Sequence, residues 1–251
     1  MDDPWLIGLM LGLGALLYSS VGHGGASAYI AILTLMGSPP ELIRSLALGL
    51  NVVVATVGSI NYQRAGAFSW QLFWPFALTS IPMALVGSWL APCFGSVLKV
   101  VLGMVLLFAA IRMVIPSPIA GKSKENPPLP SRWFSIACGS IIGFLSGLTG
   151  VGGGIFLSPL LVMGGWATPK GASAVSAPFI VVNSAAALAG LPPSIEQLAM
   201  PTLLWAGFVL VGGWIGSYLG SRHFNPVWLK RMLGLVLLVA AGKMLIGWVN
   251  N

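Results

Sequence analysis

Eight long apolar runs follow one another along this chain, at about residues 5–36, 41–63, 68–90, 94–115, 133–164, 171–190, 197–220 and 226–249. Most hold the roughly 20 residues that an α-helix needs to cross the hydrocarbon core of a bilayer. A water-soluble fold of this size has too much surface to hide them all. Of 251 residues, 57% are hydrophobic and 7% charged, against about a quarter charged in a soluble domain. The solvent of most of this surface is therefore lipid. Tryptophans gather near run ends (Trp5, Trp70, Trp133, Trp166, Trp228 and Trp248), as in an interfacial aromatic belt. The net charge of +7 comes from Lys and Arg between runs, not from patches interleaved with polar groups. It reads as membrane orientation and speaks against a nucleic-acid partner. Cys93 and Cys138 have no metal-ligand or CxxC spacing and read as small apolar side chains, so neither metal nor cofactor is expected. The start, Met1-Asp2-Asp3-Pro4, lacks the basic n-region of a signal peptide, and the first run is expected to be retained.

Runs one and five differ from the rest: each exceeds 30 residues and is broken by glycines about two-thirds of the way along. They open two copies of one unit. Leu98 to Met113 (LKVVLGMVLLFAAIRM) and Leu229 to Met244 (LKRMLGLVLLVAAGKM) agree at ten of sixteen positions, including Lys99/Lys230, Gly103/Gly234 and Met113/Met244. Gly22-His23-Gly24-Gly25 corresponds to Gly150-Val151-Gly152-Gly153. The offset between the copies is nearly the same at the glycines as at the last run, so few insertions separate them. The Pro-rich, charged stretch PSPIAGKSKENPPLP at 116–130 divides the two. The organisation is therefore a membrane repeat at 1–115, a linker at 116–131 and a second repeat at 132–251.

Charge placement tests whether the copies point the same way. If every run crosses once, the twelve Lys and Arg residues divide six against six between the two sides, with no positive-inside bias. The pieces 25–36 and 153–164, rising about 1.5 Å per residue, are too short to cross the core. If runs one and five are re-entrant, one side collects Arg64, Arg112, Lys122, Lys124, Arg132, Lys170, Arg222, Lys230 and Arg231. The other keeps Arg44, Lys99 and Lys243, a division of nine against three. That asymmetry matches the positive-inside rule. It predicts an all-α polytopic protein of two inverted repeats, each with a broken first helix and three further transmembrane helices. The linker is then cytoplasmic, both termini are extracytoplasmic, and the location is the cell (inner or plasma) membrane.

Glycine clusters at membrane depth free the backbone from helix geometry, which is tolerated only where protein or a water-filled cavity satisfies the freed groups. The half-helix that follows presents unpaired N–H groups and a positive dipole end. Two such ends meeting near the midplane make an anion site. The competing reading is close helix packing, which GxxxG spacing such as Gly212, Gly216 and Gly220 also serves. A phosphate-binding loop is a poor third, since there is no GK[ST] and no adjoining strand.

The expected site is lined by Ser19, Ser20, Gly22, His23, Gly24, Gly25 and Ser27 at the first break. At the second it is lined by Ser146, Thr149, Gly150, Gly152, Gly153 and Gly154. Asn51 and Asn183, each in the middle of the helix after a break, either bond substrate oxygens or tie helices together. For any single Ser or Thr the competing reading is a bond to its own helix. His23, whose counterpart is Val151, is either a neutral structural histidine or a group that carries a proton or meets the anion. Arg44 and Lys170 open the helices after the breaks, as interfacial anchors or as electrostatic steering for an anion. Asp2, Asp3, Glu41, Glu125 and Glu196 all lie at run ends or in loops. With no intramembrane acid, a carboxylate proton relay or cation site is disfavoured and a small anionic substrate is favoured. Neither HExxH nor a GxSxG elbow is present, which argues against an intramembrane enzyme.

The duplicated unit and its break, clearest in GLTGVGGGIFLSPLLV at 147–162, resemble the TauE/SafE family of sulfite and sulfonate exporters. The resemblance spans essentially the whole chain, including Arg44-Ser45-Leu46-Ala47 and Lys170-Gly171-Ala172-Ser173 after the breaks. The first repeat departs from the pattern, with His23 and Gly24-Gly25-Ala26 in place of a full glycine triplet. The resemblance implies secondary transport of sulfite, thiosulfate or an organosulfur anion. From the residues, the expectation is alternating access, with a passive anion channel and a non-transporting membrane scaffold or receptor subunit as rivals. Homodimer formation is left open.

Overall fold

Prolines and caps set the helix starts. Helix α1 (Pro4–Ser19) has Pro at its first position, and Asp3 accepts a hydrogen bond from the Trp5 N–H at 3.0 Å. Proline suits that position because its missing N–H would have no partner there. Short α2 (Ala26–Leu35) follows, then α3 (Pro40–Arg64) and α4 (Trp70–Leu90), which ends in a 3₁₀ turn at Ala91–Phe94. The second half supplies α5 (Arg132–Thr149), α6 (Gly154–Met163), α7 (Pro169–Ala189) and α8 (Pro201–Arg222). Thr168 caps α7, accepting from the Gly171 N–H at 3.0 Å. This computed structural model describes residues 3–95, 129–191 and 201–222, with isolated residues at 97, 100–101, 103–104, 107–108, 111, 238, 242 and 245. The most alike segments, 98–113 and 229–244, lie largely outside the described residues, as does the linker. Among the described residues all regular structure is helical, and four helices are long and apolar enough to cross a membrane: Leu42–Arg64, Trp70–Phe94, Pro169–Ala189 and Thr202–Arg222.

The two stretches that follow the breaks match in backbone detail. Gly37 (φ +80°) ends α2 and Gly165 (φ +68°) ends α6. The Ser38 N–H bonds the Leu33 carbonyl at 3.1 Å and the Trp166 N–H bonds the Leu161 carbonyl at 3.0 Å. This is the same glycine-terminated Schellman stop, at equivalent places in the two copies. Packing repeats as well: α1 lies on α8 as α4 lies on α5, α3 on α8 as α7 on α4, and α2 on α3 as α6 on α7.

Paired contacts fix the running directions. Gly12 meets Gly212, Leu16 meets Gly216 and Ser20 meets Gly220, so α1 and α8 are parallel. Gly139, Gly143 and Gly147 lie on Phe76, Ser80 and Ala84, so α4 and α5 are parallel too. Small residues every fourth position let these backbones approach closely. Helix α3 runs with α8 (Val54 at Gly213, Asn61 to Ser217), and α7 runs with α4, since the starts of the two (Leu72 and Phe73, Ala172 and Val175) share one cluster and their later residues Ala84 and Ala187 another. At the centre α3 and α7 are antiparallel, Asn51 meeting Ser184 and Gly58 facing Ala177. Helix α2 doubles back on α1, because Gly14 lies against Ala28 and Ile32. The second break folds back on α5 in the same way, placing Gly153 against Ile142 and Ser146.

Candidate functional site

Both breaks turn on left-handed glycines. Gly22 and Gly25 have φ of +73° and +147°; Gly150, Gly152 and Gly153 have +79°, +82° and +79°. Side chains other than glycine are strained in this region. The half-helices that follow begin at Gly25 and Gly153 without any side-chain cap, so their first N–H groups have no intrahelical acceptor.

The two breaks meet on one side chain. A methyl group built onto Gly24 would fall on the Asn51 amide oxygen, 3.2 Å from Cγ2 of Ile180. One built onto Gly152 would fall on the Asn51 amide nitrogen, 2.8 Å from Ser184 Oγ and 3.0 Å from the same Ile180 carbon. Asn51 is 0% exposed, and its Nδ2 donates to Ser184 Oγ at 3.0 Å. Its Oδ1 is buried without a hydrogen-bond partner among the described residues. Beside Gly153, the buried Ser146 hydroxyl also has none among them. A buried polar atom without a partner costs roughly 1–3 kcal/mol. The Tyr29 hydroxyl, against Gly25, is another such atom, so buried polar atoms without a partner among the described residues gather at both uncapped helix starts.

The other expected residues fall into two groups. Ser19, Ser20, Ser27 and Thr149 are buried at the breaks, and His23 is half-buried there. Ser20 Oγ donates to the Leu17 carbonyl at 2.7 Å and Thr149 Oγ1 to the Leu145 carbonyl at 2.6 Å, within their own helix. Ser19 Oγ reaches the Gly24 carbonyl across the first break at 3.4 Å. Asn183 is buried too, and its Oδ1, like that of Asn51, has no hydrogen-bond partner among the described residues. Its amide donates to the Phe179 carbonyl one turn back, at 2.8 Å. Counted from the helix starts at Pro40 and Pro169, the partner of Asn51 in α7 is Ile180, not Asn183.

The same counting re-pairs the basic residues. Arg44 is fifth in α3, but Lys170 is second in α7 and exposed. The fifth residue of α7 is Ser173. Arg44 is 2% exposed, and its guanidinium donates to the Gly147 carbonyl at 2.9 Å and to Ser88 Oγ at 3.3 Å. Ser173 Oγ donates to the Val21 carbonyl at 2.8 Å, and Tyr62 donates to the Ser20 carbonyl at 2.9 Å. Sequence reasoning left Ile180 and Ser184 out of the site, and did not foresee that Ser173 and Tyr62 hold carbonyls of the first break. One signal was available: Ser173, Ala177, Ile180 and Ser184 recur at intervals of four and three, a single helix face.

A model of the sulfite exporter TauE/SafE family matches residues 6–244 of this chain. A "Probable membrane transporter protein", y4hK of Sinorhizobium fredii, is 37% identical over 238 residues, covering 92% of this chain and 94% of that protein. Another of that description, YjnA of Bacillus subtilis, is 25% identical over 254 residues, covering 96% and 98%. A third, from Methanocaldococcus jannaschii, is 27% identical over 253 residues, covering 92% and 90%. No solved structure matches the chain.

Proposed function

Since this membrane protein belongs to the sulfite exporter TauE/SafE family, we propose that it exports a small sulfur oxyanion, sulfite or an organosulfonate, by alternating access. The observation that carries this reading is the convergence of both glycine breaks on Asn51. Two uncapped half-helices begin there, each with a partial positive charge of about half an elementary unit at its N-terminus. Backbone N–H groups of the breaks, with the second N–H of the Asn51 amide and the Ser146 and Ser184 hydroxyls, donate to the oxyanion. An inside-negative membrane potential already favours anion exit, by about 2.3 kcal/mol per charge per 100 mV. Export therefore needs little coupling energy.

The same reading takes the repeats as inverted and the breaks as re-entrant. It is supported by directions: α1, α3 and α8 run one way, and α5, α7 and α4, their counterparts, run the other. Helix α1 and the helix after its break share a direction because α2 turns back between them. The nine-to-three charge division supports the same reading, with a cytoplasmic linker and both termini on the opposite side. Alternating access then follows as one repeat rocking against the other about a fixed site.

Counterflow of radiolabelled sulfite in proteoliposomes tests the function. A saturable exchange signal of modest turnover is expected. No movement of sulfite, thiosulfate or methanesulfonate overturns the reading, and fast uncoupled current replaces the carrier with a channel.

A further inference from the structure

Each break joins two half-helices head to tail, so the positive end of the second lies a few residues from the negative end of the first. An anion drawn to one is repelled by the other unless the carbonyl end is capped. The two carbonyl ends are capped by equivalent residues of different chemistry. Ser173 and Arg44 are both fifth in their helices, and each reaches across to the other repeat. Each also lies against a left-handed glycine: a methyl group on Gly22 would come 2.7 Å from the Ser173 Cα, and one on Gly150 would come 3.4 Å from the Arg44 Cα. At the first break the cap is a neutral hydroxyl on Val21, joined by Tyr62 on Ser20. At the second it is a guanidinium on Gly147, in the last turn of α5.

Resting on the anion site proposed above, we propose that Arg44 is the positioning residue that makes the second break hold the substrate's negative charge. Arg44 does not touch the substrate. It offsets the carbonyl end of α5, so that the N–H groups at Gly152–Gly154 face the anion without an opposing dipole. Ser173 performs the same capping without charge, and the first break stays closer to neutral.

The test titrates sodium sulfite into the purified full chain in lipid nanodiscs by calorimetry. Arg44→Gln keeps a donor for the Gly147 carbonyl and removes the charge; its Kd is expected to rise about tenfold, equivalent to about 1.4 kcal/mol. Arg44→Lys keeps the charge and Ser173→Ala never had one, so both are expected within threefold of wild type. Equal shifts in R44Q and R44K assign Arg44 to packing and overturn the proposal, as does an S173A shift as large as that of R44Q. Should R44Q fail to fold, R44K decides alone: a tenfold rise overturns the proposal and a shift within threefold supports it. If the wild type binds no sulfite, thiosulfate or methanesulfonate, the anion site itself falls. If it binds and R44Q binds equally well, only the role of Arg44 falls.

Discussion

At the first break the neck carbonyls of Ser19, Ser20 and Val21 are held by hydroxyls of Tyr62 and Ser173; at the second, the Gly147 carbonyl is held by the guanidinium of Arg44. The glycine turns that follow are similar, with left-handed residues at equivalent places and ten-residue half-helices beyond. The backbone device is alike at both breaks while the chemistry around it differs. The first fact accords with the duplication expected from the sequence. The second accords with the proposal above, in which Arg44 offsets the carbonyl end of α5 and leaves the N–H groups of one break to meet the substrate's charge.

The glycines are the place where this comparison breaks most visibly. Gly152 combines a positive φ with contact to Asn51 and Ser184, whereas Gly24 has the contact without the positive φ. Gly152→Ala is therefore expected to cost about 3–4 kcal/mol and abolish sulfite counterflow, from overpacking and backbone strain together. Gly24→Ala is expected to cost about 2 kcal/mol, from overpacking alone. Fluorescence-detected melting in detergent ranks the two, and equal losses would show that the breaks are equally tight. Gly37, left-handed with no described residue within 4 Å of an added methyl group, isolates the backbone cost: Gly37→Ala is expected to lose about 1 kcal/mol. Tyr62→Phe removes a donor from the first neck only. It is expected to cost about 1 kcal/mol and to slow counterflow while leaving the KM for sulfite within twofold. A large KM rise would give the first break a share of the charge. The smallest effect belongs to Lys170→Ala, expected within twofold of wild type in every transport constant because Lys170 is exposed and is not the counterpart of Arg44. Topology sharpens the comparison separately. Single cysteines at Ser38 and Gly165, in a background lacking Cys93 and Cys138, are expected to label from opposite sides, and labelling from one side contradicts inversion.

Much of the fold could be read from the residues. Glycine clusters at matching places in the two copies locate both breaks, because few other residues reach positive φ cheaply. The length of the pieces after them limits the half-helices to ten residues. Asn51 is conspicuous as an amide within an apolar run, and the structure brings both breaks onto it. Asn183 looks the same in sequence but bonds its own helix, because its place along α7 lies beyond the counterpart of Asn51 by most of a turn. The pairing of Arg44 with Lys170 matched charge to charge, whereas register from the helix starts matches Arg44 to Ser173. Ser184 and Tyr62 went unnoticed for a general reason. A hydroxyl in an apolar helix ordinarily bonds its own backbone, and only packing reveals the ones that reach across.

The central claim is that both breaks build one anion site around Asn51. Sulfite affinity of the purified chain, wild type against Asn51→Leu, tests it most directly, since leucine keeps the volume and removes both amide atoms. The account predicts that the wild type binds saturably and that N51L, folded and monodisperse, loses at least about thirtyfold in affinity, or about 2 kcal/mol, as expected for losing a hydrogen bond to a charged ligand. Undiminished binding by N51L would contradict it.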